Sequence, residues 1–197
     1  MAREPRVSES RMPTEDEPDE SDSPGAVHIG APQAEDGAEV HDLIAACPPL
    51  DTNSLYANLI QCSHFGRTCA LARSEDGAAI GWISGHIIPG EPDTFFLWQV
   101  AVHARGRGQR LAHRMLADIF ARRECEAVTR MKTTITRDND ASWGLFRSIA
   151  RGLDAPLGES EGFDEQRHFR GRHASEVLVT IGPFDRAARL EALRGAH

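Results

Sequence analysis

The stretch from Trp98 to Leu116 constrains this chain more than any other. It opens within Thr94 to Val102, which is apolar on both faces and fits a central strand covered by layers on either side. A turn rich in glycine and arginine follows, His103 through Arg110. Leu111 to Arg122 then carries apolar residues at helical spacing. A helix N-terminus exposes unpaired N–H groups and the positive end of its dipole. Glycines let an anion approach that backbone, and arginines add charge and paired donors. Strand, turn and helix together describe a seat for a pyrophosphate. The turn alone also admits a plainer reading, an exposed basic loop whose glycines serve only conformation.

Charge distribution narrows the ligand. The net charge is −8 over 197 residues. Residues 1–24 hold eight acids against three arginines, so the remaining 173 residues hold 22 acids against 19 bases. That near-balance lacks the broad basic field of a nucleic-acid binder. Positive charge gathers locally instead, at Arg105, Arg107, Arg110 and Arg114, which suits a small polyanion. No apolar run is long enough to span a bilayer, and the N-terminus has no apolar segment of the secretory kind. The expectation is a cytoplasmic protein. The four cysteines, Cys47, Cys62, Cys69 and Cys125, form no C-x-x-C pair and read as free thiols.

Three segments are expected. Residues 1–24, rich in Glu, Asp, Ser and Pro, cannot bury enough surface to offset ordering entropy and read as a disordered acidic tail. Residues 25–184 form one domain, and residues 185–197 a helical or disordered extension. Within the domain, strands are expected at Val27–Ile29, Thr68–Ala72, Ala79–Ile88, Thr94–Val102, Ala127–Thr136 and Glu176–Ile181. Helices are expected at Glu35–Ala46, from Leu55 after a cap at Asp51 or Thr52, at Leu111–Arg122, and to Ala150 after a cap at Asp138 or Asn139. Turns are expected at Asp76-Gly77 and at Glu91-Pro92-Asp93. The order gives an α/β (α+β) fold, a mixed central sheet with helices on both faces.

Two features resemble the GNAT superfamily of N-acetyltransferases. One is the turn itself, which approaches the pattern Gln or Arg, two residues, Gly, one residue, then Gly or Ala, with Arg107 first and Ala112 last. Arg110 stands where Gly is usual. The other is Asn139 through Phe146, beginning a helix where that superfamily sets an Asn against the pantetheine arm. The resemblance implies acetyl-CoA as co-substrate, contacted by Val100, Val102, Arg107, Gly108, Gln109, Arg110, Leu111, Ala112, Asn139, Ser142 and Phe146. It also implies a backbone oxyanion donor near Gln99 or Val100 on a splayed strand. Many relatives use a Tyr at the position of Phe146 to protonate the leaving thiolate; the sole tyrosine here is Tyr56.

Nine further strings resemble one narrower family, the L-2,4-diaminobutyrate N4-acetyltransferases of ectoine biosynthesis. They include Leu50 through Tyr56, Ile83-Ser84-Gly85-His86, Trp98 through Val102, Asn139 through Phe146, His168-Phe169-x-Gly171-x-His173 and Ile181-Gly182-Pro183-Phe184, in order over roughly residues 26–184. Lys132 departs from it, standing where an acid is expected. The resemblance implies acetyl transfer to the 4-amino group of diaminobutyrate, a homodimer, and no metal. It places substrate contacts at Asp51, Tyr56, Trp98, His173 and Glu176. A diamine needs anionic partners, which Asp51 and Glu176 supply. Glu176 is the first choice of general base and Asp51 the second, with Tyr56 as a further catalytic candidate. Each has a structural alternative: Asp51 as helix cap, Tyr56 and Trp98 as core aromatics, His173 and Glu176 as a surface pair. Rival functions are acetylation of another amine, a nucleic-acid module built on Arg105 to Arg114, and a CoA-binding regulator without activity.

Overall fold

The computed structural model describes residues 26–185 together with Leu190 and Leu193. The acidic segment and most of the C-terminal extension lie outside those residues. The chain runs β1 (His28–Gly30), α1 (Gly37–Ala45), α2 (Leu55–His64), β2 (Ala70–Arg73), β3 (Ala79–Ile88), β4 (Glu91–Val102), α3 (Leu111–Ala121), β5 (Arg130–Thr136), α4 (Asp140–Gly152), β6 (Leu157–Phe163) and β7 (Glu176–Ile181). The strands form one sheet in the order β1-β2-β3-β4-β5-β7-β6. Only β4 and β5 are parallel; every other pair is antiparallel. This is the expected mixed sheet with helices on both faces.

Strand alternation builds the two layers. On β2, Ala70 and Ala72 join the core under α3 and α4, while Leu71 faces the core of α1. The larger core packs Phe95, Leu97 and Met131 against Met115, Phe120 and Ile149. The smaller one sets Trp82 and Ala101 against Val40, Leu43 and Ile44, apolar residues at helical spacing on α1. Phe120 meets Phe95 edge-on at 5.5 Å and stacks on Phe184 at 5.6 Å.

Several boundaries differ from expectation, each for a local reason. The cap of α2 is Ser54, whose Oγ accepts from the Ala57 N–H at 3.1 Å, so neither Asp51 nor Thr52 caps it. The β3–β4 turn is Pro89-Gly90, with Gly90 at φ 87, the left-handed conformation a proline–glycine turn requires there. Glu91 already belongs to β4, opposite Ile88. Strand β5 begins at Arg130 because a 3-10 turn occupies Arg123–Cys125. Strand β6 was not foreseen: Leu-Gly-Glu-Ser-Glu-Gly-Phe has little strand propensity, and only pairing with β7 makes it one. Lys132 is explained by Glu91, whose Oε2 lies 2.6 Å from its Nζ.

Two irregularities shape the middle of the sheet. Between β3 and β4 the register passes from Ser84↔Gln99 to Gly85↔Leu97, leaving Trp98 as an extra residue in a bulge. Beside it, β4 and β5 pair only at Thr94↔Arg130, Phe95↔Met131 and Phe96↔Lys132. Beyond Phe96 the two strands part, and β5 goes on to pair β7 as far as Thr136↔Glu176. A wedge therefore opens in the sheet alongside the bulge.

Candidate active site

A cleft opens at the turn where the sequence leads one to expect an anion seat. A cleft of about 650 Å³ is lined by Val102, Gly106, Arg107, Gly108, Arg110, Leu111 and Ala112, at the N-terminus of α3. Gly108 takes φ 76 with open space where a Cβ would stand, so an anion can reach the backbone there. Arg110 is the N-cap of α3 and holds φ 52. That is the conformation glycine adopts without cost, which accounts for the departure at this position being tolerated by the fold but strained.

The four arginines of the turn divide. Arg107 and Arg110 line the cleft. Arg105 instead pairs with Asp76 at 2.7 Å, and Arg114 reaches the Val27 carbonyl at 3.5 Å. The Ser74 hydroxyl and Arg105 hold the Asp76 carboxyl low, at about 2. A third cation arrives from elsewhere: Arg151, near the end of α4, lines the same cleft with Leu145, Ser148 and His113. Sequence reasoning missed these four. The signal available was their spacing, since Leu145, Ser148 and Gly152 share one face of α4, but nothing in the sequence aims that face at α3.

Other expected cofactor contacts sit differently. Gln109 donates from Nε2 to the Arg105 carbonyl at 3.0 Å, bracing the turn. Asn139 caps α4, its Oδ1 accepting from the Ser142 N–H at 3.0 Å. Phe146, only 4% exposed, is packed in the larger core. Val100 lies on the stretch of β4 that has left β5, partly buried against that core.

Three of the five expected substrate residues, Asp51, His173 and Glu176, come together where β7 begins. His173 Nε2 lies 3.9 Å from both Asp51 Oδ2 and Glu176 Oε1. Its Nδ1 donates to the Ala174 carbonyl at 2.7 Å, which fixes the ring. Glu176 opens β7, between Thr136 and Phe163. It also borders an acidic cleft of about 620 Å³, with Asp138, Glu159, Glu161, Asp164 and Glu165. Trp98 is 54% exposed and Tyr56 is 72% exposed on the first turn of α2, so neither is a core aromatic. Gln99 links strand to loop, accepting from Asn53 Nδ2 at 3.0 Å and donating to the Asp51 carbonyl at 2.9 Å. Neither Gln99's side chain nor Asn53 was among the expected contacts.

The thiols are poor nucleophiles. All four cysteines are free and buried. Burial pushes Cys62 up to about 11 and Cys69 up to about 12. Among the described residues, no group of three His, Cys, Asp or Glu is placed to hold a metal ion. Likewise, none of their helices is long and apolar enough to cross a membrane.

Comparison with known proteins decides the family. Residues 38–150 match the acetyltransferase (GNAT) family. The L-2,4-diaminobutyric acid acetyltransferase of Methylotuvimicrobium alcaliphilum is 49% identical over 158 residues, 80% of this chain and 91% of that one. The chain belongs to the GNAT family, among its diaminobutyrate acetyltransferases. The enzyme of that name from Halomonas elongata is 45% identical over 156 residues, 79% of this chain and 81% of its own. Among solved structures, the Paenibacillus lautus diaminobutyrate acetyltransferase, in complex with L-2,4-diaminobutyric acid and coenzyme A, superposes with a TM-score of 0.76 at 34% identity. That match covers 82% of this chain and 97% of the other. The GNAT assignment fits the donor set already described. Three arginines, an open-faced glycine and a helix N-terminus suit a phosphorylated carrier, and β4 and β5 no longer pair beyond Phe96, beside the bulge.

Proposed function

We propose that this protein transfers acetyl from acetyl-CoA to the 4-amino group of L-2,4-diaminobutyrate, yielding the N4-acetyl precursor of ectoine. The observation that carries the reading is the meeting of Asp51, His173 and Glu176 at the open end of the β4–β5 wedge. Two carboxylates there match two ammonium groups, and the acidic cleft beyond Glu176 favours a cation over an anionic or neutral amine.

Acetyl-CoA brings an acyl thioester; the chain must supply position and proton traffic. Arg107, Arg110, Arg151 and the α3 N-terminus hold the phosphates. The β4 backbone beyond Phe96 is free of β5, so its N–H groups on that side are available to the acyl oxygen as charge develops there. An amine with a pKa of about 10 is protonated at neutral pH and cannot attack. Glu176, at the mouth of β7, takes that proton directly or through water, and Asp51 holds the distal ammonium. Trp98, projecting from the bulge, offers an aromatic face to the cation. Selection between the two nitrogens is then a matter of placement. Phe146 carries no proton, so the exposed Tyr56 hydroxyl or solvent protonates the departing thiolate. The active species is a homodimer, which sedimentation of the purified protein checks.

The test is turnover with diaminobutyrate, ornithine and lysine as acceptors, with NMR of the product. The expected result is preference for diaminobutyrate and acetylation at N4. Equal rates on all three, or acetylation of the α-amine, would overturn the reading. Glu176→Gln is expected to lower kcat by about 10² or more while leaving acetyl-CoA affinity nearly unchanged, as removal of a general base does. An equal loss of both would remove Glu176 from that role.

A further inference from the structure

Gln99 has no part in the proton traffic above, yet its amide joins the two halves of the site. Its Nε2 donates to the Asp51 carbonyl at 2.9 Å, and its Oε1 accepts from Asn53 Nδ2 at 3.0 Å. A carbonyl can only accept, so the orientation of the amide is fixed by chemistry. Both polar ends of one side chain are thus occupied by residues 51–53, a segment with neither helix nor strand of its own. At the other end, Gln99 follows the bulged Trp98 directly and pairs with Ser84.

Asp51 needs such an anchor. Its side chain is 93% exposed, and among the described residues its ion-pair partner is His173, at 3.9 Å. Ser54, which caps α2, fixes the chain after the segment but not Asp51 itself. Without the amide, residues 51–53 have no described hydrogen bond to the sheet.

We propose that Gln99 is a positioning residue for the diamine: its amide clamps residues 51–53 to β4, holding the Asp51 carboxylate at a set distance from Trp98 and the wedge. This rests on the substrate reading given above. The clamp acts on the acceptor amine and not on the carrier, because neither Gln99 nor residues 51–53 line the cleft at the α3 N-terminus. Only an amide serves. Glutamate keeps an acceptor for Asn53 but turns a lone pair on the Asp51 carbonyl, and leucine keeps neither bond.

Steady-state kinetics on Gln99→Leu, Gln99→Glu, Asn53→Ala and the Asn53→Ala, Gln99→Leu pair tests the clamp. Loss of these bonds in Gln99→Leu is expected to raise KM for diaminobutyrate about tenfold, with KM for acetyl-CoA held within about twofold. Gln99→Glu is expected to fall in the same direction. Asn53→Ala should give a smaller rise, and adding it to Gln99→Leu should change nothing further, since the pair acts as one unit. Asn53→Ala alone still tests the clamp should Gln99→Leu not fold. A parallel rise in both KM values, or strict additivity in the pair, would show a merely structural residue and overturn the proposal. Wild-type protein without diaminobutyrate turnover sinks the substrate reading and the clamp with it. Normal wild-type turnover with unmoved Gln99→Leu and Asn53→Ala variants sinks the clamp alone.

Discussion

Arg110 shows how one side chain can serve a ligand against the preference of its own backbone. It caps α3 at φ 52, where a Cβ meets the following carbonyl. The residue also lines the cleft at the α3 N-terminus. The two effects separate by substitution. Arg110→Ala and Arg110→Gly both remove the charge and should weaken CoA binding alike in calorimetry. Thermal unfolding should then rank Arg110→Gly above Arg110→Ala by about 1 kcal/mol, the cost of left-handed backbone for a residue with a Cβ. Equal stability would mean that the strain is absent. Arg151 belongs to the same cleft but sits on α4, in ordinary helical conformation. Arg151→Ala should therefore weaken CoA binding without a backbone effect on stability.

At the scale of elements, the site depends on strands that fail to pair regularly. The bulge at Trp98 turns an aromatic out of a strand in which Leu97 before it is buried and Gln99 after it is half-buried. A comparable irregularity lies between Glu161 and Phe163, where Gly162 is the unpaired residue between the Glu161↔Val177 and Phe163↔Glu176 pairs. A Cβ on Gly162 would stand 2.4 Å from the Glu176 carbonyl oxygen and 2.8 Å from Leu178 N. Backbone atoms cannot yield as a flexible side chain can. Gly162→Ala is expected to push β6 from β7, displace Glu176 and lower kcat, with hydrogen exchange rising along β6. Wild-type kcat together with unchanged protection of β6 would contradict this. Strand β6 was also the element hidden from sequence reasoning. Its Gly, Glu and Ser residues satisfy no strand pattern, and tertiary pairing alone orders them.

Across the whole molecule, the buried His113 and the half-buried His86 tie stability to pH. Burial holds His113 below the usual histidine range, and the nearby Arg110 charge adds to it; a bond with Ser148 opposes them. Burial lowers His86 likewise. The unfolded chain takes up these protons near pH 6.5, the folded chain only lower, so the unfolded state binds more protons in between. Stability is therefore expected to rise with pH through that window and to fall as pH drops below about 6.5. His113→Gln should flatten the fall in a series of thermal melts from pH 7 to pH 5. A variant as steep as wild type would place the effect elsewhere.

The sequence by itself determined what local rules can write. Alternation and helical spacing marked nearly every strand and helix, Pro and Gly marked the turns, and the Trp98 to Leu116 stretch announced an anion seat at a helix N-terminus. Resemblance then gathered Asp51, Tyr56, Trp98, His173 and Glu176 into one site, and of these Asp51, His173 and Glu176 come together. What the sequence could not write were contacts between distant elements. The delivery of Arg151 to the α3 cleft, the withdrawal of Arg105 and Arg114 to other partners, the pairing that makes β6 a strand, and the Gln99 amide on residues 51–53 all join residues far apart in the chain. Such contacts depend on how a twisted, bulged sheet aims each face. A one-residue shift of register along β4 would send the Gln99 amide to the opposite face of the sheet.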